Sequence, residues 1–113
     1  MSHEKYFDYQ SAIVACMNCV VACNHCAACC LQEPDVKMMA GCIGLDSDCA
    51  QSCQLAAALM SGGSDFVPQA CRLCADVCKA CAEECGRHDM DHCQQCAEAC
   101  RICAAACAKF ASA

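Results

Sequence analysis

The segment that decides the fold is residues 71–85, CRLCADVCKACAEEC, in which cysteines follow one another at alternating steps of three and four residues. The same spacing occurs in residues 16–30, CMNCVVACNHCAACC, and in residues 93–107, CQQCAEACRICAAAC. This alternation averages about 3.5 residues, which is the repeat of the packed face of an α-helix. Each segment therefore predicts a helix that presents a row of thiols to its neighbours. Fifteen of the 19 cysteines belong to these three rows.

The residues between the rows predict the rest of the architecture. Pro34 suits a first helical turn, whereas Gly63 and Gly86 suit helix ends. We expect a single domain, residues 1–113, with helices over residues 8–31, 34–60, 66–86 and 89–109. Because the connections are short, neighbouring helices should be antiparallel. The predicted fold class is all-α, an antiparallel up-down-up-down four-helix bundle with a cysteine-lined core.

The second predicted helix carries a weaker version of the row. Three cysteines remain on its seam, and methionine, aspartate and alanine occupy the other positions. The seam runs through Met39, Cys42, Asp46, Cys49, Cys53, Ala56 and Met60. Cys29 lies at the flank of the seam of the first helix. Alanine is frequent beside the other rows, and such small flanking side chains let helices approach closely.

Composition and charge restrict the function classes. The net charge of −6 at pH 7 disfavours nucleic acid as a partner, because nucleic acid requires a basic surface, and it also disfavours anionic membranes. The N-terminal stretch MSHEKYFDYQ lacks the basic and apolar regions of a signal peptide. No run approaches the roughly 18 apolar residues of a membrane span. We therefore expect a cytoplasmic protein with reduced thiols, which together with the odd number of cysteines disfavours a disulfide scaffold.

The thiol rows predict a core that binds metal. Thiolates are soft ligands that select Cu(I), Zn(II) and iron–sulfur clusters. Structural zinc and iron–sulfur sites gather their ligands around one centre, and neither requires a stripe along three helices. Two or three thiolates are enough to coordinate Cu(I), so CxxxC pairs such as Cys19/Cys23 and Cys26/Cys30 are candidate sites. Replacing a thiol proton by Cu⁺ also leaves the buried charge unchanged, whereas a four-thiolate zinc site carries a net negative charge.

We predict that every cysteine binds metal and that each chain holds several Cu(I) ions. The candidate ligands are Cys16, Cys19, Cys23, Cys26, Cys29, Cys30, Cys42, Cys49, Cys53, Cys71, Cys74, Cys78, Cys81, Cys85, Cys93, Cys96, Cys100, Cys103 and Cys107. The expected function is non-enzymatic copper storage or sequestration, since nothing singles out one thiol as a nucleophile. A zinc- or cadmium-buffering bundle resembling metallothionein is the alternative, and a thiol redox enzyme is the third hypothesis. The simplest hypothesis is that the cysteines serve only as small core residues.

The antiparallel arrangement should gather different residues at the two ends of the bundle. One end is expected to be a hydrophobic plug, formed by Phe7, Met60, Phe66 and Phe110. Weaker copper ligands gather toward the other end, which is where we expect metal to enter. These candidates are Met38, Met39, Asp46, His88, Met90 and His92. The outer face of the first helix is apolar, which predicts self-association through Met17, Val20, Val21 and Ala28.

The three CxxCxxxCxxCxxxC rows, the weaker row between them and the end with histidine and methionine resemble the bacterial copper storage proteins. The match covers residues 8–110. Because the sequence shows no signal peptide, the chain resembles the cytosolic branch of that family. The resemblance implies inward-facing cysteines that bind many Cu(I) ions, with CxxxC pairs as common sites. It also implies a homotetramer and metal access at the polar end, near Asp46, His88 and His92. Proteins that donate copper to the chain or accept copper from it are further candidate partners.

Overall fold

The structure is a computed structural model that describes residues 3–112. Its elements are α1 (His3–Cys30), a short 3₁₀ helix (Val36–Met39), α2 (Ala40–Gly62), α3 (Val67–Gly86) and α4 (Asp91–Ala108). Within these residues there is no β-strand. Each long helix packs against the next one along the chain, and α1 also packs against α4. The bundle is 50 Å long and 23 by 17 Å across, and the predicted all-α four-helix fold is confirmed.

The start of the second helix differs from the sequence prediction. α1 begins at His3, a few residues ahead of residue 8. The second helix does not begin at Pro34, because residues 31–35 form the turn that reverses the chain. There the Asp35 carboxylate accepts a hydrogen bond from the Met38 backbone N–H at 3.3 Å and starts the 3₁₀ helix instead. Regular α-helix follows only from Ala40.

The end of α2 depends on a left-handed glycine. Gly63 has φ 64° and ψ 38°, a conformation that residues with a Cβ atom rarely adopt. In this conformation the N–H of Gly63 donates to the Met60 carbonyl at 3.2 Å, and the N–H of Ser64 donates to the Leu59 carbonyl at 3.0 Å. These two bonds satisfy the last carbonyls of the helix and turn the chain toward α3.

The core is a column of small side chains. All cysteines of the three full rows are buried. The predicted seam of α2 is confirmed at every position, since Met39 is 1% exposed and the other six seam residues are 0% exposed. Buried alanines such as Ala75, Ala97 and Ala104 flank the rows and keep the helices close to one another. We call the 18 buried cysteines the thiol column.

Aromatic rings close one end of the bundle, but they are not all the predicted ones. The rings of Tyr9 and Phe110 pack edge to face with their centroids 4.9 Å apart, and Met60 is fully buried nearby in the same core. Phe7 and Phe66 are 57% and 65% exposed, so their predicted places in the plug are wrong. The reason is helical periodicity: Tyr9 lies two turns before Cys16 on the buried seam, whereas Phe7 faces outward.

The outer face of α1 is apolar and exposed. Val14, Met17 and Val21 are 53%, 45% and 68% exposed. Val20, which was expected on this face, is buried. By length and composition α1 would also pass for a membrane span, contrary to the sequence expectation, with a mean hydropathy of 1.7 in its best window. Much of that hydropathy comes from the cysteines that α1 turns into the bundle, and core helices of soluble proteins pass the same test.

Replacing Gly63 with alanine should lower the free energy of unfolding of the reduced, metal-free protein by about 1 kcal/mol, because alanine is strained at positive φ. Gly44→Ala is the matched control, since Gly44 lies inside α2 with open space around its Cα. This control should raise stability by about 0.5–1 kcal/mol through better helix propensity. Urea unfolding followed by circular dichroism measures both changes, and equal effects of the two substitutions would contradict the prediction.

Candidate metal centre

The thiol column is continuous along the bundle axis. Within one helix, sulfurs one turn apart lie 3.9 Å from each other at Cys19/Cys23 and 3.8 Å at Cys26/Cys30. Sulfurs on different helices are equally close, with 3.4 Å from Cys49 to Cys78. Because the steps along a helix and across it are similar, no sulfur in this part of the column belongs to a single isolated pair.

The sulfurs form overlapping groups of four whose Sγ atoms all lie within 4.8 Å of one another. Such groups are Cys16/Cys74/Cys103/Cys107, Cys19/Cys49/Cys53/Cys78, Cys19/Cys23/Cys49/Cys100, Cys23/Cys81/Cys96/Cys100 and Cys26/Cys30/Cys42/Cys93. Cys19, Cys23, Cys49 and Cys100 each contribute to two of these groups. This sharing suits ions that are bridged by thiolates, and the column can hold many of them.

The group Cys26/Cys30/Cys42/Cys93, together with His92, forms one end of the column, which we call the mouth. The Nδ1 atom of His92 lies 3.5 Å from the Sγ atoms of Cys26 and Cys93. Its Nε2 atom lies 3.1 Å from the Oε1 atom of Glu33. Such a carboxylate partner fixes the orientation of a histidine ring that faces a metal site. The structure therefore brings an imidazole nitrogen to the outermost thiols.

The other predicted access residues lie at different depths. The Nε2 atom of His88 is 3.1 Å from the Oε2 atom of Glu84, so this ring also has a carboxylate partner. Met90 is half-buried, and Met39 is fully packed in the core. Met38 is 57% exposed. The predicted set is thus not one cluster, and His92 and Asp46 are the members in direct contact with the thiols.

Asp46 is a fully buried carboxyl group inside the column. Its Oδ1 atom accepts hydrogen bonds from the thiols of Cys96, Cys81 and Cys85 at 3.1, 3.3 and 3.4 Å. Burial, and then the neighbouring Cys96, raises the pKa of Asp46 to about 8. Asp46 is therefore a proton-holding group among the ligands just below the mouth.

Hydrogen bonds separate the acidities of the thiols at the mouth. Hydrogen bonds with the thiols of Cys26 and then Cys85 lower the pKa of Cys42 to about 2. Burial, and then the charge on Cys42, raises the pKa of Cys93 to about 11 and also raises the pKa of Cys30. The thiols at the mouth therefore differ in acidity, and a metal ion that binds them must displace the protons that they hold.

Cys29 does not belong to the column. It is the one cysteine of the chain that is not buried, and its Sγ atom lies 3.6 Å from the Nε2 atom of His25 on the outside of α1. Sequence reasoning missed the two glutamate partners of the histidines, which are Glu33 for His92 and Glu84 for His88. The Glu84/His88 pair has helical spacing that could have revealed it. Glu33 and His92 are 59 positions apart, and only the fold joins them.

The fold and the column define a class, a four-helix bundle whose core is a metal-binding array of thiols. The family model described as copper storage protein matches residues 5–112. The chain belongs to this family, which confirms the resemblance seen in the sequence. A curated relative, the uncharacterized cysteine-rich protein YhjQ of Bacillus subtilis, is 48% identical over 83 residues, which are 74% of this chain and 77% of the relative.

Solved structures agree in fold and in sequence. The Cu(I)-bound copper storage protein BsCsp3, from Bacillus subtilis, superposes with a TM-score of 0.88 at 48% identity, over 93% of this chain and 99% of the other. A cytosolic copper storage protein from Streptomyces lividans, described in a study of copper loading with five coppers, has a TM-score of 0.90 at 39% identity and 96% coverage of both chains.

Asp46 should make the stability of the reduced, metal-free protein depend on pH. Its pKa is about 8 in the folded chain against an ordinary value of 3.8, so folding keeps the proton bound. The resulting stability is present below pH 4 and is lost as the pH rises toward 8, by on the order of a few kcal/mol. Asp46→Asn removes this titration, so the variant should gain stability relative to the natural protein as the pH increases. Urea unfolding at pH 5 and pH 8 tests this, and parallel pH profiles would refute it.

Proposed function

We propose that this protein stores Cu(I) by binding many ions per chain in the thiol column. The observation that carries the proposal is the set of overlapping four-sulfur groups that runs through the buried core. In an array of this kind each ion can bind two or three sulfurs, and each sulfur can bridge neighbouring ions. Two of the similar solved structures are described as Cu(I)-bound and as loaded with ten copper equivalents.

Charge favours Cu(I) over Zn(II) as the cargo. A buried thiol that exchanges its proton for Cu⁺ leaves the net charge of the core unchanged, and a buried uncompensated charge is costly. Zinc requires four ligands in a tetrahedron, so an isolated site of Zn(II) with four thiolates would bury a net charge of −2. The upper limit of capacity is then about one Cu⁺ per thiol, by neutrality and ligand softness.

The 18 cysteines of the column are the proposed storage ligands, and the mouth is the proposed point of metal access. His92 supplies an exchangeable nitrogen beside the outermost thiols. His88, Asp46, Met39, Met90 and the exposed Met38 are proposed to act along this path. A structure of the Streptomyces lividans protein has two histidines replaced by alanine, and these histidines are four residues apart, as are His88 and His92.

The setting of this function is also a proposal. The whole chain acts as one domain in the cytoplasm, as a binding protein without catalytic activity. The apolar outer face of α1 supports assembly into a homooligomer, a tetramer by family likeness. Copper-donating and copper-accepting proteins would fill and empty it at the mouth, either to limit copper toxicity or to supply copper enzymes.

An anaerobic titration of the reduced protein decides between the metals. Cu(I) is added in competition with a chelator of known affinity, and Zn(II) is added in a parallel experiment. We expect uptake of many Cu(I) ions per chain, up to about one per thiol, and no displacement of them by equimolar zinc. Binding of only a few Cu(I) ions, or their displacement by zinc, would overturn the storage proposal and favour a zinc buffer.

Glu33 should control how fast the column is filled. Glu33→Ala frees the ring of His92 to turn away from the thiols, so the initial rate of Cu(I) uptake should fall by about tenfold while the final capacity stays the same. Glu33→Gln keeps an oxygen acceptor for His92 and should restore most of the rate. Glu98→Ala, which removes an exposed partner of Arg101, is the control and should have no effect. Equal rates in Glu33→Ala and Glu33→Gln would contradict the positioning role.

A further inference from the structure

His25 and Cys29 form a pair of metal-ligating side chains outside the storage site. They lie one helical turn apart on α1, and the pair faces solvent. Cys29 is half-buried and His25 is exposed. Within residues 3–112, the Cys29 sulfur has a side-chain polar contact with His25 alone. The pair repeats on the outer surface the one-turn spacing that joins Cys26 to Cys30 in the column.

The distance between the two ligand atoms fits a shared metal ion. Bonds from a first-row metal ion to a thiolate sulfur and to an imidazole nitrogen are about 2.3 and 2.0 Å. The observed separation of 3.6 Å then corresponds to a sulfur–metal–nitrogen angle of about 110°. A bent bridge of this kind leaves the outer side of the ion open to a third ligand from solution.

The chemistry of the pair selects among metals. Zinc takes four ligands, and the exposed pair supplies two. Cu(I) binds soft sulfur and accepts imidazole, and it needs fewer ligands. A thiolate from another molecule can add to the open side of the ion before the bond to Cys29 or His25 breaks. Transfer by this route changes no oxidation state, because the ion remains Cu(I) throughout.

We propose that His25 and Cys29 bind one Cu(I) ion at a surface site where incoming thiolate ligands exchange copper. The Cys29 thiol releases its proton to solvent as the sulfur–copper bond forms, so the charge of the site is unchanged. The proposal rests on Cu(I) storage as the function of the chain, and it adds a site that the column does not contain. This site is open to solvent, in contrast to the buried sulfurs behind the mouth.

The test compares Cys29→Ala and His25→Ala with the natural protein. Asn24→Ala is the matched control, since Asn24 is an exposed neighbour on the same helix. Each reduced protein is titrated anaerobically with Cu(I) in a weakly competing chelator. Cys29→Ala should lose one Cu(I) equivalent, His25→Ala should bind that equivalent about tenfold more weakly, and Asn24→Ala should match the natural protein. Circular dichroism checks that all four chains are equally helical.

Each result bears on a different part of the proposal. Equal capacity in the natural protein and Cys29→Ala would overturn the surface site while leaving storage in the column intact. Loss of one equivalent in Cys29→Ala with no weakening in His25→Ala would overturn the paired site. The imidazole resonances of His25, assigned by their absence in His25→Ala, should shift with Cu(I) in the natural protein and stay fixed in Cys29→Ala. If the His25 resonances shift but the natural protein takes up only a few Cu(I) ions in total, the storage proposal would be contradicted while the surface site would stand.

Discussion

Close packing of four helices around a side chain as short as cysteine is the constraint on which the structure depends. A thiol extends only one atom beyond Cβ, so the helices must approach closely to leave no void between them. Buried alanines such as Ala75, Ala97 and Ala104 permit that approach. The same closeness brings sulfurs on neighbouring helices to 3.4 Å at Cys49/Cys78, which is a distance that one metal ion can bridge. Packing of the ligand-free core and metal binding therefore depend on one geometry.

Burial of so many ionisable groups adds an electrostatic constraint. Burial raises the pKa of Asp46 to about 8, because a buried negative charge without a partner is costly. At the mouth, hydrogen bonds with Cys26 and Cys85 lower the pKa of Cys42. A monovalent soft cation replaces the proton of a buried thiol one for one and leaves the charge of the core unchanged. This is the physical reason why the geometry favours Cu(I) over a divalent ion.

The cysteine rows allowed the fold and the column to be predicted from the sequence, because alternating steps of three and four residues identify the inward face of a helix. The same periodicity identified the weak row of α2, including buried Asp46. It failed where no repeat exists. The turn at Pro34 depends on local hydrogen bonding at Asp35. The contact of Glu33 with His92 joins positions 59 residues apart, and periodicity within one helix carries no information about such contacts.

The aromatic contact of Tyr9 with Phe110 closes one end of the bundle, while His92 stands at the other. Under the proposed access at the mouth, copper would enter and leave the column at one end. Ions that arrive first would then pass from one sulfur group to the next toward the aromatic end, and ions that arrive last would stay nearest the mouth. Withdrawal would follow the reverse sequence, so that the most recently acquired copper would be the first to be available and the deepest fraction would be a long-term reserve.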